Sequence, residues 1–194
     1  MLWFYRNDEH KISHSKFLEL PPEAQAMWIP HINDQKNSRV EVLVYCLMPT
    51  HYHLLLMEKK KGGISNYLSK IQNSFTRFYN LKNRRAGQIF RGHFKSKPLS
   101  SEELLKHVAR YIHLNPYSSG LVNSERDLKD YPWSSLHEIF VSDLIKKSQT
   151  TNSERLLSFF GDSVSTYMKF LMDQAEYQKT LEMCKSVEKF FQKQ

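Results

Sequence analysis

The chain has 194 residues, 40% of them hydrophobic and 13% aromatic, with a formal net charge of +8; this is enough for one domain with a real core, or a domain plus a helical extension, and too apolar for a disordered tail. No apolar run reaches the roughly 20 residues that span a bilayer, and residues 1–6 lack the apolar core of a secretory signal. Cys46 and Cys184 are too few and too far apart for a disulfide framework or a cysteine-rich zinc site, so a cytoplasmic protein with no membrane partner is expected.

In chain order, residues 13–28 read as a helix with Ser15 as its cap and Phe17, Leu18, Leu20 and Met27 on the buried side. Pro21-Pro22 divides it into two short pieces. The polar stretch 31–39 reads as a loop. Residues 40–48, rich in β-branched and apolar side chains, predict a buried strand. Pro49-Thr50 turns the chain, and residues 51–57 return as a second strand of an antiparallel hairpin. Beyond Gly62-Gly63, the spacing of Ile64, Tyr67, Leu68, Ile71, Phe75, Phe78 and Tyr79 predicts a helix. Residues 80–94 read as a loop or short hairpin, with Gly87 and Gly92 available for turns.

This middle of the chain carries the charge. Between Glu58 and Glu102 there is no acidic residue and there are eleven basic ones, Arg77, Arg84, Arg85, Arg91, Lys95 and Lys97 among them. The rest of the chain holds 17 Lys and Arg against 20 Asp and Glu, so the whole positive excess lies in this window. A block of one sign repels itself unless a polyanion neutralises it. Tyr67, Phe75, Phe78, Tyr79, Phe90 and Phe94 interleave with the cations, a mixture that suits single-stranded nucleic acid, whose bases stack on rings while its phosphates meet the charges. The plainer reading is a solvated helix face over core aromatics.

A further helix is expected from Ser100, where Ser100-Ser101-Glu102-Glu103 fits a capping box. Its apolar face is Leu104, Leu105, Val108 and Ile112, and Pro116 should end it. Residues 117–150 read as a connector and 153–194 as helical. The expected domains are 1–140 and a C-terminal helical extension at 141–194, whose Tyr167, Phe170, Leu171, Phe190 and Phe191 pack on the core or on a partner.

The chemistry-bearing residues are few. His51 and His53 stand two apart at the start of a strand, so both project from one face and are able to hold one divalent cation. With nine histidines in the chain such a pair also arises by chance, and a metal centre wants a third donor. Tyr111 and Asn115, four apart, are neighbours on one helical face. The amide oxygen of Asn115 would complete the shell beside the phenol; alternatively Tyr111 packs in the core and Asn115 caps the helix end. His107 and His113 are weaker ligand candidates, since His113 faces away from Tyr111, and Tyr117, beyond Pro116, is a poor second nucleophile.

Four stretches, in order, carry a family resemblance. The segment 45–56, with Pro49-Thr50-His51-Tyr52-His53, resembles the signature of the REP-associated tyrosine transposases, a domesticated branch of the single-tyrosine HUH transposases. Residues 72–80 resemble the first long helix of that family, residues 87–95 its basic segment, and Tyr111-Ile112-His113-Leu114-Asn115-Pro116, followed by Tyr131-Pro132-Trp133-Ser134-Ser135, its nucleophile helix. The resemblance covers roughly residues 8–140. It implies an α+β fold, an antiparallel sheet with helices on one face in the ferredoxin-like plan of HUH nucleases. It also implies Tyr111 as nucleophile, His51, His53 and Asn115 as metal ligands, and Mg²⁺ or Mn²⁺ as cofactor, with imidazole favouring Mn²⁺.

Phenols, with an ordinary pKa about 10, attack phosphodiesters poorly at neutral pH unless a cation neutralises the phosphate. Attack would leave a 5′-phosphotyrosine and a free 3′-hydroxyl, so that a second 3′-hydroxyl reverses the step and joining is built into cutting. The implied partner is single-stranded DNA bearing REP-like hairpins, held by Arg77, Arg84, Arg85, Arg91, His93, Lys95 and Lys97 through its phosphates, with the protein a monomer or homodimer. Two departures stand out. Thr50 occupies a position where the family commonly has Asn, and only residues 2–5 are available for the family's first strand, whose shortening would expose a sheet edge. Three rivals remain: a non-catalytic hairpin-binding protein, a metal hydrolase with a water nucleophile, and an RNA-binding module.

Overall fold

The computed structural model describes residues 1–7, 12–34, 36–141 and 150–191, with the side chains of the last helix described through Cys184. It is an α+β structure with a two-stranded antiparallel sheet, β1 (Val40–Leu47) and β2 (Tyr52–Glu58). The helices are α1 (His14–Leu18), α2 (Pro22–Asn33), α3 (Gly63–Lys82), α4 (Glu102–Ser118), α5 (Glu125–Lys129), α6 (Ser135–Val141), α7 (Ser153–Ser158), α8 (Val164–Met172) and α9 (Ala175–Phe191). Two compact units divide the chain, one of residues 1–42 and 56–98, the other of residues 43–55 and 99–194.

In the first unit Phe4, Tyr5, Phe17, Ile32, Val40, Val42, Tyr67 and Leu68 are buried. The rings of Phe4 and Phe17 are tilted by 50° with centroids 5.3 Å apart, and the Tyr67 hydroxyl donates to the Leu2 carbonyl at 2.9 Å. Residues 2–5 are not a strand: Phe4–Arg6 is a 3₁₀ turn, and pairing is reduced to one bridge between Asn7 and Ser38, with the Arg39 amide donating to the Arg6 carbonyl at 2.9 Å. The cap of α1 is Ser13, not Ser15, its hydroxyl accepting from the Lys16 amide at 3.3 Å. Leu18 and Met27, expected on a buried face, are 59% and 75% exposed. The break at Pro21-Pro22 restarts the helical phase, so the periodicity of α1 does not carry into α2, where Ile32 is the buried position. That helix also runs on through Pro30 to Asn33, into the stretch read as a loop.

α3 follows a left-handed Gly62 at φ 73°. Gly63 packs so closely that a Cβ there would lie 2.5 Å from the Arg39 carbonyl oxygen, a position only glycine tolerates. The Glu58 carboxylate accepts from the Ile64 amide at 3.1 Å, an acid at a helix N-terminus. Residues 83–98 contain no helix or strand.

The second unit has its own core, in which Leu43, Val44, Cys46 and Leu55 from the hairpin join Ala109, Ile112, Leu114, Leu128, Leu136, Leu156, Tyr167 and Leu171. Ser101, one residue later than expected, caps α4 by accepting from the Leu104 amide at 3.2 Å. Pro116 does not end α4, which continues to Ser118. The ring removes one ladder donor, and burial of residues 112–118 outweighs that loss. The stretch read as a connector contains α5 and α6, the first capped by Ser124. The outer edge of β1 is covered by residues 131–135. The Leu47 amide donates to the Trp133 carbonyl at 2.8 Å, Cys46 bridges Ser134, and the Tyr131 hydroxyl donates to the Leu47 carbonyl at 2.8 Å.

α7, α8 and α9 fall in this same unit, and among the described helices α9 and α4 make the most extensive pairing. Of the side chains expected to pack there, Tyr167 and Leu171 are buried; those of Phe190 and Phe191 lie outside the described residues. No helix among the described residues is long and apolar enough to cross a membrane.

Candidate active site

The hairpin turn and α4 bring together the first three candidates, all within the second unit. Side chains alternate along a strand, so the face of β2 that buries Leu55 runs out through His53 to His51 at its exposed start. Their Nε2 atoms stand 3.1 Å apart and their rings are perpendicular, with centroids at 4.8 Å. Two nitrogens at that distance either share one proton or turn both lone pairs on a common cation. Two nitrogens bound at a right angle to one cation, about 2.1 Å from it, lie about 3.0 Å apart, so the pair is already at a chelating separation. The Thr50 hydroxyl contacts His51 Nδ1 at 3.1 Å; when that nitrogen carries the proton, Nε2 is left as the free donor. Burial lowers the pKa of His53, the neighbouring His51 lowers it further, and the carboxylate of Glu182 works the other way. A lowered pKa keeps imidazole neutral, the form that binds metal.

The ring of Tyr111 meets that of His53 edge to face, with centroids at 5.5 Å and an interplanar angle of 82°. The two residues are 58 positions apart in the chain, so this meeting is a product of the fold. Tyr111 is half-buried and packs against the core of the unit. Asn115 lies one turn further along α4, buried, its Nδ2 donating to the Tyr111 carbonyl at 3.3 Å. It therefore does not cap a helix end: α4 continues past it, and its own carbonyl accepts from the Ser119 amide at 3.0 Å. No group of three His, Cys, Asp or Glu side chains that could hold a metal occurs among the described residues. The donors on offer are thus two imidazoles with an amide one helix away. Imidazole and amide oxygen are both within the range of a small divalent cation.

The other drafted residues have structural partners. His107 contacts the Arg110 guanidinium at 2.7 Å. His113, 0% exposed, lies on the opposite side of α4 from Tyr111 in a buried chain of hydrogen bonds. Tyr167 Oη is 2.6 Å from its Nδ1, Ser135 Oγ is 2.7 Å from its Nε2, and Ser135 Oγ in turn accepts from the Tyr45 amide at 2.9 Å and donates to the Tyr45 carbonyl at 3.1 Å. Burial holds the His113 imidazole down at about 3 and pushes the Tyr167 phenol upward. Both stay neutral, and a single direction of donation, Tyr167 to His113 to Ser135 to Tyr45, uses each proton once. Tyr117 is inside α4, where it donates to the Glu176 carboxylate; that bond raises its pKa.

Gln178 and Glu182, on α9, were not legible as site residues. Gln178 Nε2 donates to the Tyr111 carbonyl at 3.1 Å and to Ser118 Oγ at 3.2 Å. They are four apart and so share a helical face, but only the tertiary pairing of α9 with α4 gives that face meaning.

The basic window belongs to the first unit. Arg77, Arg84, Arg85, Arg91, His93, Lys95 and Lys97 are all exposed. Phe78 and Tyr79 are 50% and 38% exposed at the end of α3, with the Lys82 ammonium and the Arg85 guanidinium each 5.8 Å from a ring centroid. Phe75 packs on Phe90 at 5.8 Å, and Asn80 Nδ2 donates to the Gly87 carbonyl at 2.9 Å, tying the irregular segment back to α3.

No protein-family model, no curated protein and no solved structure matches the chain.

Proposed function

We propose that the protein is a single-stranded DNA nicking and joining enzyme, a transposase-type nuclease of the HUH class that uses Tyr111 as nucleophile. The observation that carries this reading is the contact of the Tyr111 ring with His53, whose Nε2 lies 3.1 Å from that of His51. A phenol set against two imidazoles able to hold one cation is an arrangement that suits phosphodiester attack by tyrosine. In this reading β1 and β2 are the central pair of a ferredoxin-like sheet, and the exposed cations and rings of residues 77–97 hold a DNA hairpin by its phosphates and unpaired bases.

His51 and His53 would hold a Mg²⁺ or Mn²⁺ ion, with Asn115 as third donor. When bound, the ion neutralises charge on the scissile phosphate and orients it for attack. Tyr111 Oη forms a bond to phosphorus as the bond from phosphorus to the 3′ oxygen breaks. The phenolic proton passes to solvent, and the departing 3′ oxygen takes one up. The product is a 5′-phosphotyrosine with a free 3′-hydroxyl, and a second 3′-hydroxyl reverses the step without an energy source.

Covalent capture tests this. Protein is mixed with labelled hairpin-bearing single-stranded DNA from beside its gene, with Mn²⁺ or Mg²⁺, and run on a denaturing gel. A protein–DNA band that disappears with chelator, with Tyr111→Phe and with His51→Ala is expected. Activity lost in His51→Ala but retained in Tyr111→Phe would point to a water nucleophile. Binding with no adduct in either metal would leave a non-catalytic hairpin binder, a reading favoured by the basic window, which needs no catalytic residue. Preference for RNA of the same sequence would indicate recognition through 2′-hydroxyls instead.

A further inference from the structure

Pro116 gives α4 a weak point at its functional turn. Having no N–H, it leaves the Ile112 carbonyl without a ladder donor, and its ring disfavours helical geometry at Asn115, the residue before it. Yet Tyr111 and Asn115 must keep one spacing if phenol and amide are to address the same phosphate and cation. Something has to hold the half-turns before and after the proline together.

We propose that Gln178 is the positioning residue that does so, stapling α4 across Pro116 and thereby holding in place the turn that carries Tyr111 and Asn115. The inference rests on the reading of Tyr111 as nucleophile. The side-chain amide of Gln178 has two protons and two acceptors within reach. One is the Tyr111 carbonyl at 3.1 Å, before the proline; the other is Ser118 Oγ at 3.2 Å, after it. The same Tyr111 carbonyl accepts from Asn115 Nδ2 at 3.3 Å, so a single oxygen ties together the nucleophile's backbone, the amide of the third-donor candidate and α9. Ser118 Oγ in turn offers its own proton to the Leu114 and Asn115 carbonyls at 3.1 and 3.3 Å, both before the proline, so this hydroxyl also spans the weak point. α9 grips the same stretch at two further points: the Tyr117 hydroxyl donates to the Glu176 carboxylate, and the Lys179 ammonium stands 4.6 Å from the Tyr117 ring centroid. On this view α9 acts on the site through α4, as a positioning element.

The test separates position from stability. Gln178→Met keeps length and volume but removes both donors. Adduct formation is measured under single-turnover conditions with saturating Mn²⁺ and a hairpin substrate, alongside hairpin affinity and Tm. Misplacement of a nucleophile lowers the rate constant, whereas partial unfolding lowers only the amplitude of the reacting fraction. The expected result is a rate constant reduced roughly 10- to 100-fold with hairpin affinity and amplitude held. Ser118→Ala, which cuts only the far arm, is expected to show a smaller loss of the same kind and serves if Gln178→Met does not fold. An unchanged rate constant, or a loss confined to amplitude and Tm, would overturn the proposal. Absence of adduct in the unaltered protein would overturn the tyrosine reading itself, and this inference with it.

Discussion

Protonation of His113 provides a quantitative check on the buried frame behind α4. The imidazole is fully buried, bonded to Tyr167 and Ser135, with its pKa held down at about 3. In the unfolded chain it titrates near the ordinary value of about 6.5. Between those values the unfolded state binds a proton that the folded state refuses, so stability falls as pH falls, by about 1.4 kcal/mol per pH unit. From pH 7.5 to pH 5 the loss from this one group is about 2 kcal/mol, and it is absent at neutral pH. Urea unfolding followed by circular dichroism at pH 7.5, 6 and 5 would measure it, with His113→Gln as the reference. The variant loses buried hydrogen bonds, a cost of about 1–3 kcal/mol that does not vary with pH. Groups shared by both proteins, such as His14, which burial and the chain's amino terminus lower to about 4, cancel in the difference. The two stability curves should converge by about 2 kcal/mol toward pH 5. Parallel curves would refute the neutral, buried His113 and the directed hydrogen-bond chain built on it.

Other predictions address the two units separately. Gly63→Ala should destabilise the first unit by about 1–3 kcal/mol, because the new Cβ would stand 2.5 Å from a backbone oxygen that cannot move aside freely; an unchanged Tm would show that α3 is free to shift. A thiol reagent at pH 8 should find one reactive cysteine in the native protein, the exposed Cys184, and a second only in denaturant, since Cys46 is buried with its thiol pushed up to about 12. Two fast equivalents would mean the hairpin opens readily. Hairpin binding should weaken linearly in log–log plots against salt, and the double change Arg84→Ala, Arg85→Ala should reduce that slope by about 1–2. An unaffected slope would remove those two residues from the interface.

What was legible followed from local pattern. The two strands and α3 could be drawn to within a few residues because each is specified by its own periodicity, β-branched and apolar through Val40–Leu47, helical from Ile64 to Tyr79. The serine caps of α1 and α4 are legible in kind but not in exact position, since Ser13 competes with Ser15, and Ser101 with Ser100, for the same orphan amides. At Pro116 local and tertiary signals conflict. Its local cost argues for termination, but burial on both sides and a side-chain clamp from 60 or more residues downstream carry the helix past it. The same long separation hid Gln178: nothing in residues 175–184 marks one glutamine as different from its neighbours until α9 lies on α4. The histidine pair was readable because its geometry is local, fixed by the two-residue period of a strand. The meeting of His53 with Tyr111 was not derivable from spacing at all.

That meeting has a mechanical basis in how α4 is indexed to the hairpin. Residues two apart on a helix point to nearly opposite sides, so the side of α4 away from Tyr111 carries His113. Through Ser135, His113 is tied to both backbone groups of Tyr45 in β1, at distances between 2.7 and 3.1 Å. β1 is hydrogen-bonded to β2, which carries His53. The nucleophile candidate and the metal-ligand candidate are therefore referenced to the same two strands, one through a buried polar chain and one directly. Apolar packing alone would let α4 slide or rotate by a fraction of a turn at little cost, whereas a chain in which every buried proton has one acceptor permits one register. On the proposed chemistry this explains why a histidine two residues from the nucleophile is buried and neutral: its part is to fix where Tyr111 stands against His53, and the imidazoles that meet the phosphate are the pair on the hairpin.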